Sequence, residues 1–531
     1  MLLGVAFAFF TLAFVADAWG AGGLARMGQL ITHPNPQSAS NTLSNAGEVV
    51  AAVLAIAITV VAIVVELASN RYTHRITELF VAEPINFYVM GFFVITGLQC
   101  LWVTLTFDYQ VDSTGHVLPG AFVPYIGIGV SMAMLTICLL ILLPYFAFVF
   151  HFLNPVTIVE RIRTHTLDVI KKGGNIARAQ HEAVRGVEQL ADVALNAMEN
   201  KDNGISMASV DALFALTSDY LAIRKGLSEE WFRVDGQLAH NPDFVSMAPE
   251  VLDEVSSRRI WFEMKVLRQY QTLYTEALNR QRDINYVVAI NSRRIAELAI
   301  KEGHPELFDL VIKFFNTYLR ATINARDVRT AYNVLNQYRL LAENLLDEQN
   351  GARATEIARY FKYYGRISFD QKQPFILETV AYDLCTLNEL AFDRKSNASR
   401  ELLRIFLQVD RESVSEVQEA SLRGVRKAQV KLATYYLWKG DEALAREVYK
   451  DMANEKPERL ASIRDELLAV HSGEFWEISD RGQNFDYLSP KRKACMMQFF
   501  EWFGAIIPPR ASLVGNISSE YPTSPTGLGE S

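Results

Sequence analysis

Residues 125–172 read YIGIGVSMAMLTICLLILLPYFAFVFHFL-NPVTIVERIRTHTLDVIKK, and the change of character at Asn154-Pro155 divides the chain. Tyr125 to Leu153 contains no Asp, Glu, Lys or Arg. It is long enough to cross a hydrocarbon layer of ~30 Å, which takes about 20 helical residues. From Asn154 onward charges recur every few positions, beginning with Glu160, Arg161, Arg163, Asp168, Lys171 and Lys172. A membrane helix therefore gives way to a soluble amphipathic one at this point.

Toward the N-terminus lie three further apolar stretches, and toward the C-terminus none. The expected fold class is all-α: four transmembrane spans, at about 2–18, 49–67, 85–107 and 125–153, followed by a large cytosolic α-helical, solenoid-like domain. The expected divisions are a transmembrane region 1–153, a juxtamembrane helical region 154–248, a repeat-like domain 249–507 and a tail 508–531. The tail holds Ser, Thr, Gly and Pro with little apolar content, which predicts disorder. The first stretch ends Ala16-Asp17-Ala18, a small-x-small pattern like that of a cleaved leader, yet no Lys or Arg precedes it. It is expected to be a retained span, with the leader reading left open.

The distribution of basic residues sets the orientation. Between Arg75 and Arg161 there is no Lys or Arg. Basic groups lie after the second stretch (Arg71, Arg75) and after the fourth, so both termini and the soluble domain are expected in the cytosol of a bacterium, under its inner membrane. Arg26, in the first outer loop, points the other way. The net charge of −8 and the lack of a basic face argue against a nucleic-acid partner. Cys100, Cys138, Cys385 and Cys495 are too scattered for a disulfide framework and read as small hydrophobes.

Three features of the membrane part are candidates for more than packing. Glu66 follows an unbroken apolar run, and an ionisable group at membrane depth is a functional candidate; pairing with Asn70 or Arg71 in the headgroup layer is the plainer use. Pro144 removes a backbone donor and is expected to kink the last span. Gly91, Gly97, Gly127 and Gly129 are expected to let helices approach closely.

The run from Leu43 to Arg75 carries LSNAGE, an alanine- and valine-rich span, and then Glu66-Leu67-Ala68-Ser69-Asn70-Arg71-Tyr72-Thr73-His74-Arg75. Over roughly the first 160 residues this resembles the bacterial DUF2254 membrane-protein family, whose corresponding segment reads Gln-Leu-Ala-Ser-x-Arg-Tyr-Ser-Pro-Arg. Glu66 stands for the glutamine and His74 for the proline. The resemblance singles out Leu67, Ser69, Arg71, Tyr72 and Arg75 and implies a multi-pass membrane protein, with no activity attached. Physically the segment reads as a spanning helix that continues past the bilayer. Arg71 and Arg75, four residues apart and hence on one face, would meet lipid phosphate or acidic groups of the soluble part.

Asn154 is a good N-cap before the one helical position that favours proline. Val156, Val159, Ile162, Leu167 and Ile170 form a stripe interrupted by Thr166, and Lys171-Lys172-Gly173-Gly174 predicts the helix end. From Glu250 to Glu302 there is neither Gly nor Pro. One helix of that length would reach ~80 Å, so a break near Arg282-Asp283 is expected. Farther on, Leu432-Ala433-x-x-Tyr436, Ala445-x-x-x-Tyr449 and Pro457 resemble tetratricopeptide spacing, with Gly440-Asp441 as the turn and Gln429 where the tryptophan anchor belongs. Leu432, Tyr436, Ala445 and Tyr449 are thus the candidate protein-binding repeat.

No metal-ligand spacing, phosphate loop or nucleophile motif occurs, so no cofactor and no enzyme activity are expected. His165 and His181 could face each other across a helical hairpin, but histidine is ordinary at such positions. Arg258-Arg259 and Arg293-Arg294 read as solvated or salt-bridged pairs. The expected function is a membrane-anchored scaffold whose partners are the lipid bilayer and either another protein or further copies of this chain. The alternative is an oligomeric channel or transporter, with Glu66, Arg71, Tyr72, His74, Arg75 and Pro144 at the membrane interface or pore.

Overall fold

A computed structural model describes residues 36–504 other than 72–75, 82, 108–124, 153, 235, 348, 410–415, 475–479 and 483. The described residues form helices joined by turns and loops, with no strand among them. The chain divides into two compact units, 1–216 and 217–531.

The first unit begins with α1 (Pro36–Arg71), α2 (Ile76–Val81), α3 (Pro84–Leu105) and α4 (Tyr125–Phe152). Three of its helices are long and apolar enough to span a membrane, over Ser40–Ser69, Pro84–Leu105 and Ile126–Phe152. These correspond to the expected spans at 49–67, 85–107 and 125–153. The stretch 2–18 lies outside the described residues. At 36 residues, α1 measures ~54 Å and outruns the bilayer core.

The three spans pack on one another. Leu43 and Ala46 of α1 meet Cys100 and Val103 of α3, with Ile128, Met132 and Leu135 of α4 against them. The Cys138 thiol donates to Thr96 Oγ1 at 3.3 Å, and Thr96 is fully buried. Most other side chains on the spans, such as Ile56, Ile63, Ile95, Leu101 and Leu143, face outward. An aliphatic surface of that extent is stable only against lipid or another apolar body. Helix α4 runs unbroken through Pro144. At Gly91 and Gly129 an added Cβ would meet nothing within 4 Å, so neither marks a close crossing.

The unit continues with α5 (Pro155–Lys172) and α6 (Ile176–Glu199), then α7 (Asn203–Ile223), along which the division between the units falls. Asn154 caps α5 by accepting from Val156 N at 3.1 Å, and α5 stops at Gly173, as its sequence signals predict. The buried stripe is Ile158, Val159, Ile162, Thr166, Leu167 and Ile170, whereas Val156 is exposed. Thr166 therefore belongs to the stripe it was expected to interrupt. Its hydroxyl is satisfied by Ile162 O at 2.7 Å, which lets it press against α6 at Gly186. A Cβ at Gly186 would lie 1.9 Å from Thr166 Oγ1, so glycine sets the α5–α6 distance.

The second unit contains α8 (Gly236–Ala239), α9 (Pro249–Ser257), α10 (Trp261–Ala277), α11 (Arg282–Lys301), α12 (Pro305–Asn324), α13 (Val328–Asn344), α14 (Gly351–Asp370) and α15 (Pro374–Asp393). It ends with α16 (Ser399–Phe406), α17 (Glu416–Lys439), α18 (Glu442–Met452), α19 (Pro457–Ala469) and α20 (Pro490–Glu501). The expected single break in 250–302 is two breaks, at 258–260 and 278–281. Neither uses Gly or Pro. Arg259 and Asn279 take the left-handed conformation instead, at φ 57° and 61°.

The same device ends other helices, at Lys201, Arg326, Lys372 and Lys395. After each of these basic residues the next amide reaches back five residues, as in Asp327 N to Thr322 O at 3.1 Å and Gln373 N to Ser368 O at 2.8 Å. This is the Schellman closure, and a cation there also meets the negative end of the helix dipole.

Helices α11, α13, α15 and α17 each pack on the next of that row, and α10, α12, α14 and α16 do the same. Aromatic pairs join the rows, Phe315 stacking on Tyr338 at 4.8 Å and Tyr338 meeting Phe361 edge-on at 5.4 Å, while Tyr274 stacks on Tyr318 at 4.5 Å within one row.

At the start of the unit, Trp261 Nε1 donates to Trp231 O at 2.7 Å, and Trp231 Nε1 to Tyr220 Oη at 3.1 Å. Glu263 is buried beside them. Arg224 Nε is 3.2 Å away, without hydrogen-bond alignment. Burial outweighs that cation and pushes the Glu263 carboxyl up to about 7.

Candidate functional site

In the membrane unit, a cleft of about 740 Å³ opens between α1, α2, α3 and α4. Its walls are apolar, and its polar residues are Glu66, Ser69, Thr77, Asn86 and Tyr145. Glu66 is exposed and Ser69 is nearly buried. Tyr145 Oη donates to Asn86 Oδ1 at 3.1 Å, tying α4 to α3. Below it Arg161 pairs with Glu83 and lies 4.4 Å over the Phe152 ring, which meets Phe80 edge-on at 5.3 Å. Pro144 lies on a neighbouring apolar groove between α3 and α4. Arg71 ends α1, with its side chain outside the described set; Tyr72, His74 and Arg75 also lie outside the described residues.

The expected tetratricopeptide-like residues fall on α17, α18 and the turn between them. Gly440 takes φ 85° and Asp441 caps α18 through Leu444 N at 3.0 Å. Leu432, Tyr436 and Ala445 are buried, with Tyr436 edge-on to Phe392 at 5.5 Å. Tyr449 packs on Trp502 and Phe503 near the end of α20. The first three therefore serve packing between helices rather than an open groove.

A polar cleft in the second unit was not anticipated. It has a volume of about 720 Å³ and lies along α13, α15 and α17, with Asp480, Arg481, Asn484, Phe485, Tyr487 and Arg492 on its other side. On the helix side are Arg339 and Glu343 of α13, Asp383, Cys385 and Glu389 of α15, and Lys431 of α17.

Asp480, Arg481, Phe485 and Asp486, on one segment, make a charged and aromatic cross-piece over these helices. Arg481 Nη1 donates to Asp383 Oδ1 at 2.6 Å, and its guanidinium lies 4.0 Å over the Tyr332 ring. Phe485 stacks on Tyr382 at 4.7 Å and 13°. Asp486 accepts from the Tyr382 hydroxyl and from Lys427 Nζ, the latter at 2.8 Å. Asp480 pairs with Arg329 at 3.1 Å, and Lys431 Nζ donates to Phe485 O. Arg492 Nη2 closes the other end, at 2.6 Å from Glu389 Oε1 and 2.9 Å from Lys431 O.

Burial lowers the Lys431 ammonium and raises the Cys385 thiol. Charges of both signs alternate across the cleft, an arrangement suited to recognising a chain that carries both. The available signal was an aperiodic stretch punctuated by Gly473, Gly482 and Pro490 that nonetheless holds Arg481, Phe485 and Asp486.

Arg258 pairs with Glu254 at 2.6 Å and Arg293 with Glu297 at 2.5 Å. Cys100, Cys138 and Cys385 are buried and Cys495 is half-buried. His165 and His181 are both exposed, and no group of metal-ligating side chains gathers among the described residues.

No curated protein matches the chain. Among solved structures, a "circular tandem repeat protein with novel repeat topology and enhanced subunit contact surfaces" is 19% identical, over 58% of this chain and 78% of that one, with a TM-score of 0.29. The family described as "Predicted membrane protein (DUF2254)" is matched by residues 1–221, a stretch that takes in all three described spans and runs on past α6.

Proposed function

We propose that this chain is a membrane-anchored scaffold whose soluble helices form an irregular α-solenoid and hold a protein segment, or another copy of the chain, along the row α11, α13, α15 and α17. The supporting observation is that row, with its polar cleft of both charges. Stacked helix pairs bury their apolar stripes against their neighbours and leave one continuous lateral surface for partners. In this reading the spans are the anchor. Arg161, Arg163, Lys171 and Lys172 after the last span put the soluble helices on the cytosolic side of a bacterial inner membrane. Extraction of the full chain into nanodiscs directly from its native membrane, followed by mass photometry, tests this. Particles larger than one chain, with a fixed stoichiometry of partner or copy, are expected. A population of single chains alone contradicts it.

One observation favours a second reading, an oligomeric channel. Glu66 lies exposed on the apolar cleft between the spans beside Ser69 and Asn86. Ion flux in proteoliposomes that changes with Glu66→Gln supports a channel, and silent, correctly inserted protein leaves the spans as an anchor.

A further inference from the structure

We infer that Asp480, Arg481, Phe485 and Asp486 act as a self-bound occupant of the α13–α15–α17 face, and that the partner segment this face takes is a peptide with an arginine, an aromatic residue four places on and an acid directly after it. This rests on the scaffold reading and names the partner's chemistry.

Three observations carry it. First, the contacts are those of a bound peptide: a guanidinium on Asp383, a ring on Tyr382 and a carboxylate on Lys427. The amides of Asn484, Asp486 and Tyr487 bond within the segment or to Gly473, and none of the three bonds to a helix of the row.

Second, two of the receiving charges, Asp383 and Lys427, have partners of their own, whereas Lys431 Nζ would exchange its bond to Phe485 O for water or a partner carbonyl. Asp383 also faces Arg339 Nε at 3.3 Å, and Lys427 also pairs with Glu466 at 2.9 Å. Removing one member of a buried pair is costly when the other is stranded. Here neither Asp383 nor Lys427 would be stranded if the segment left. Third, the segment leaves a cleft of about 720 Å³ between itself and the helices, so it covers the face without filling it. The pair of Asp480 with the exposed Arg329 is a surface latch at one end.

The segment would thus compete with the partner, and the partner's apparent affinity would fall with the fraction of chains in which the segment is closed. The test uses the full chain in nanodiscs and two readouts. Hydrogen exchange at the Asn484, Asp486 and Tyr487 amides is compared with that of α15 and α17. Faster, concerted exchange of the three is expected, since a detachable segment opens without the helices. Exchange only together with the helices overturns the proposal and leaves the scaffold reading standing.

The second readout is the anisotropy of a labelled peptide of residues 480–489 on wild type and on R481A/F485A. Binding at least ~10-fold tighter to the variant than to wild type, and none by a scrambled peptide, is expected. Equal binding overturns the competition. Separate opening in wild type with no binding to the variant overturns both the proposal and the peptide-holding form of the scaffold reading.

Discussion

Glu263→Gln should stabilise the second unit at neutral pH and remove a specific part of its pH dependence. Glu263 is 1% exposed, and burial lifts its carboxyl from an ordinary 4.5 to about 7 against the opposing charge of Arg224. A carboxyl raised on folding binds its proton more tightly in the native state. Its contribution is therefore neutral below the unfolded value and increasingly unfavourable as pH climbs toward 7. At about 1.4 kcal/mol per pH unit the full effect is roughly 3 kcal/mol.

Glutamine keeps the shape and cannot ionise. Arg224 is not stranded, since it still donates to Arg259 O at 2.6 Å and meets His304 Nδ1 at 2.8 Å. His304 acts in the opposite sense. Burial and the neighbouring Arg224 lower it, so its contribution is lost as pH falls. Taking the difference between variant and wild type removes that term to first order.

The assay is urea unfolding of the full chain in detergent, followed by fluorescence in a background that keeps only Trp231 and Trp261 of the seven tryptophans; these two lie 5.0 Å apart beside Tyr220 and Phe262. The advantage of the variant should grow from near zero at pH 4.5 to roughly 3 kcal/mol at pH 7.5. A difference that stays flat across that range, or shrinks, refutes the reasoning.

Gly186→Ala places a Cβ 1.9 Å from Thr166 Oγ1; overpacking of ~1–3 kcal/mol less a helix-propensity gain of ~0.5–1 kcal/mol leaves a net loss. A lowered melting temperature, partly restored by Thr166→Ala in the same chain, checks it. Gly440→Ala, at φ 85°, should cost ~1–2 kcal/mol in urea unfolding. Arg326→Gly, at φ 54°, should change stability little, because relief of strain is offset by the greater freedom of glycine in the unfolded chain. Asp327 is buried, which opposes its charge, yet bonds from Thr330 and Asn279 and the charge of Arg282 hold its carboxyl below the usual range. Asp327→Asn should therefore cost ~1–2 kcal/mol at pH 7, and urea titrations should show that gap closing as pH falls through the depressed value.

What the sequence revealed and what it hid follow from the physics of each signal. The three described spans were legible because length and apolarity suffice to define them, while the expected stretch 2–18 lies outside the described residues. Asn154-Pro155, Gly173 and Gly440-Asp441 were legible because each residue type is nearly dedicated to its position. The helix ends at Arg259, Arg326, Lys372 and Lys395 were not, because a basic residue in the left-handed region looks like any exposed helical residue until the reach-back bond is seen. The register of α5 was legible, but Val156 and Thr166 were misassigned, Thr166 for a related reason. Thr166 reads as polar, but its hydroxyl is internally bonded and its remaining surface packs against a glycine a helix away. The polar cleft brings together residues from 329 to 492, and no linear spacing encodes that juxtaposition.

The central claim, that the soluble helical row holds a protein segment, is tested most directly by a photo-crosslinking residue at Thr386 on the cleft and, as control, at exposed Lys313 on α12. Both are incorporated in the full chain and irradiated in native membranes. The expected result is one discrete adduct from Thr386, absent from Lys313 and suppressed by excess peptide of residues 480–489. No adduct from Thr386, or the same adduct from both positions, contradicts the claim.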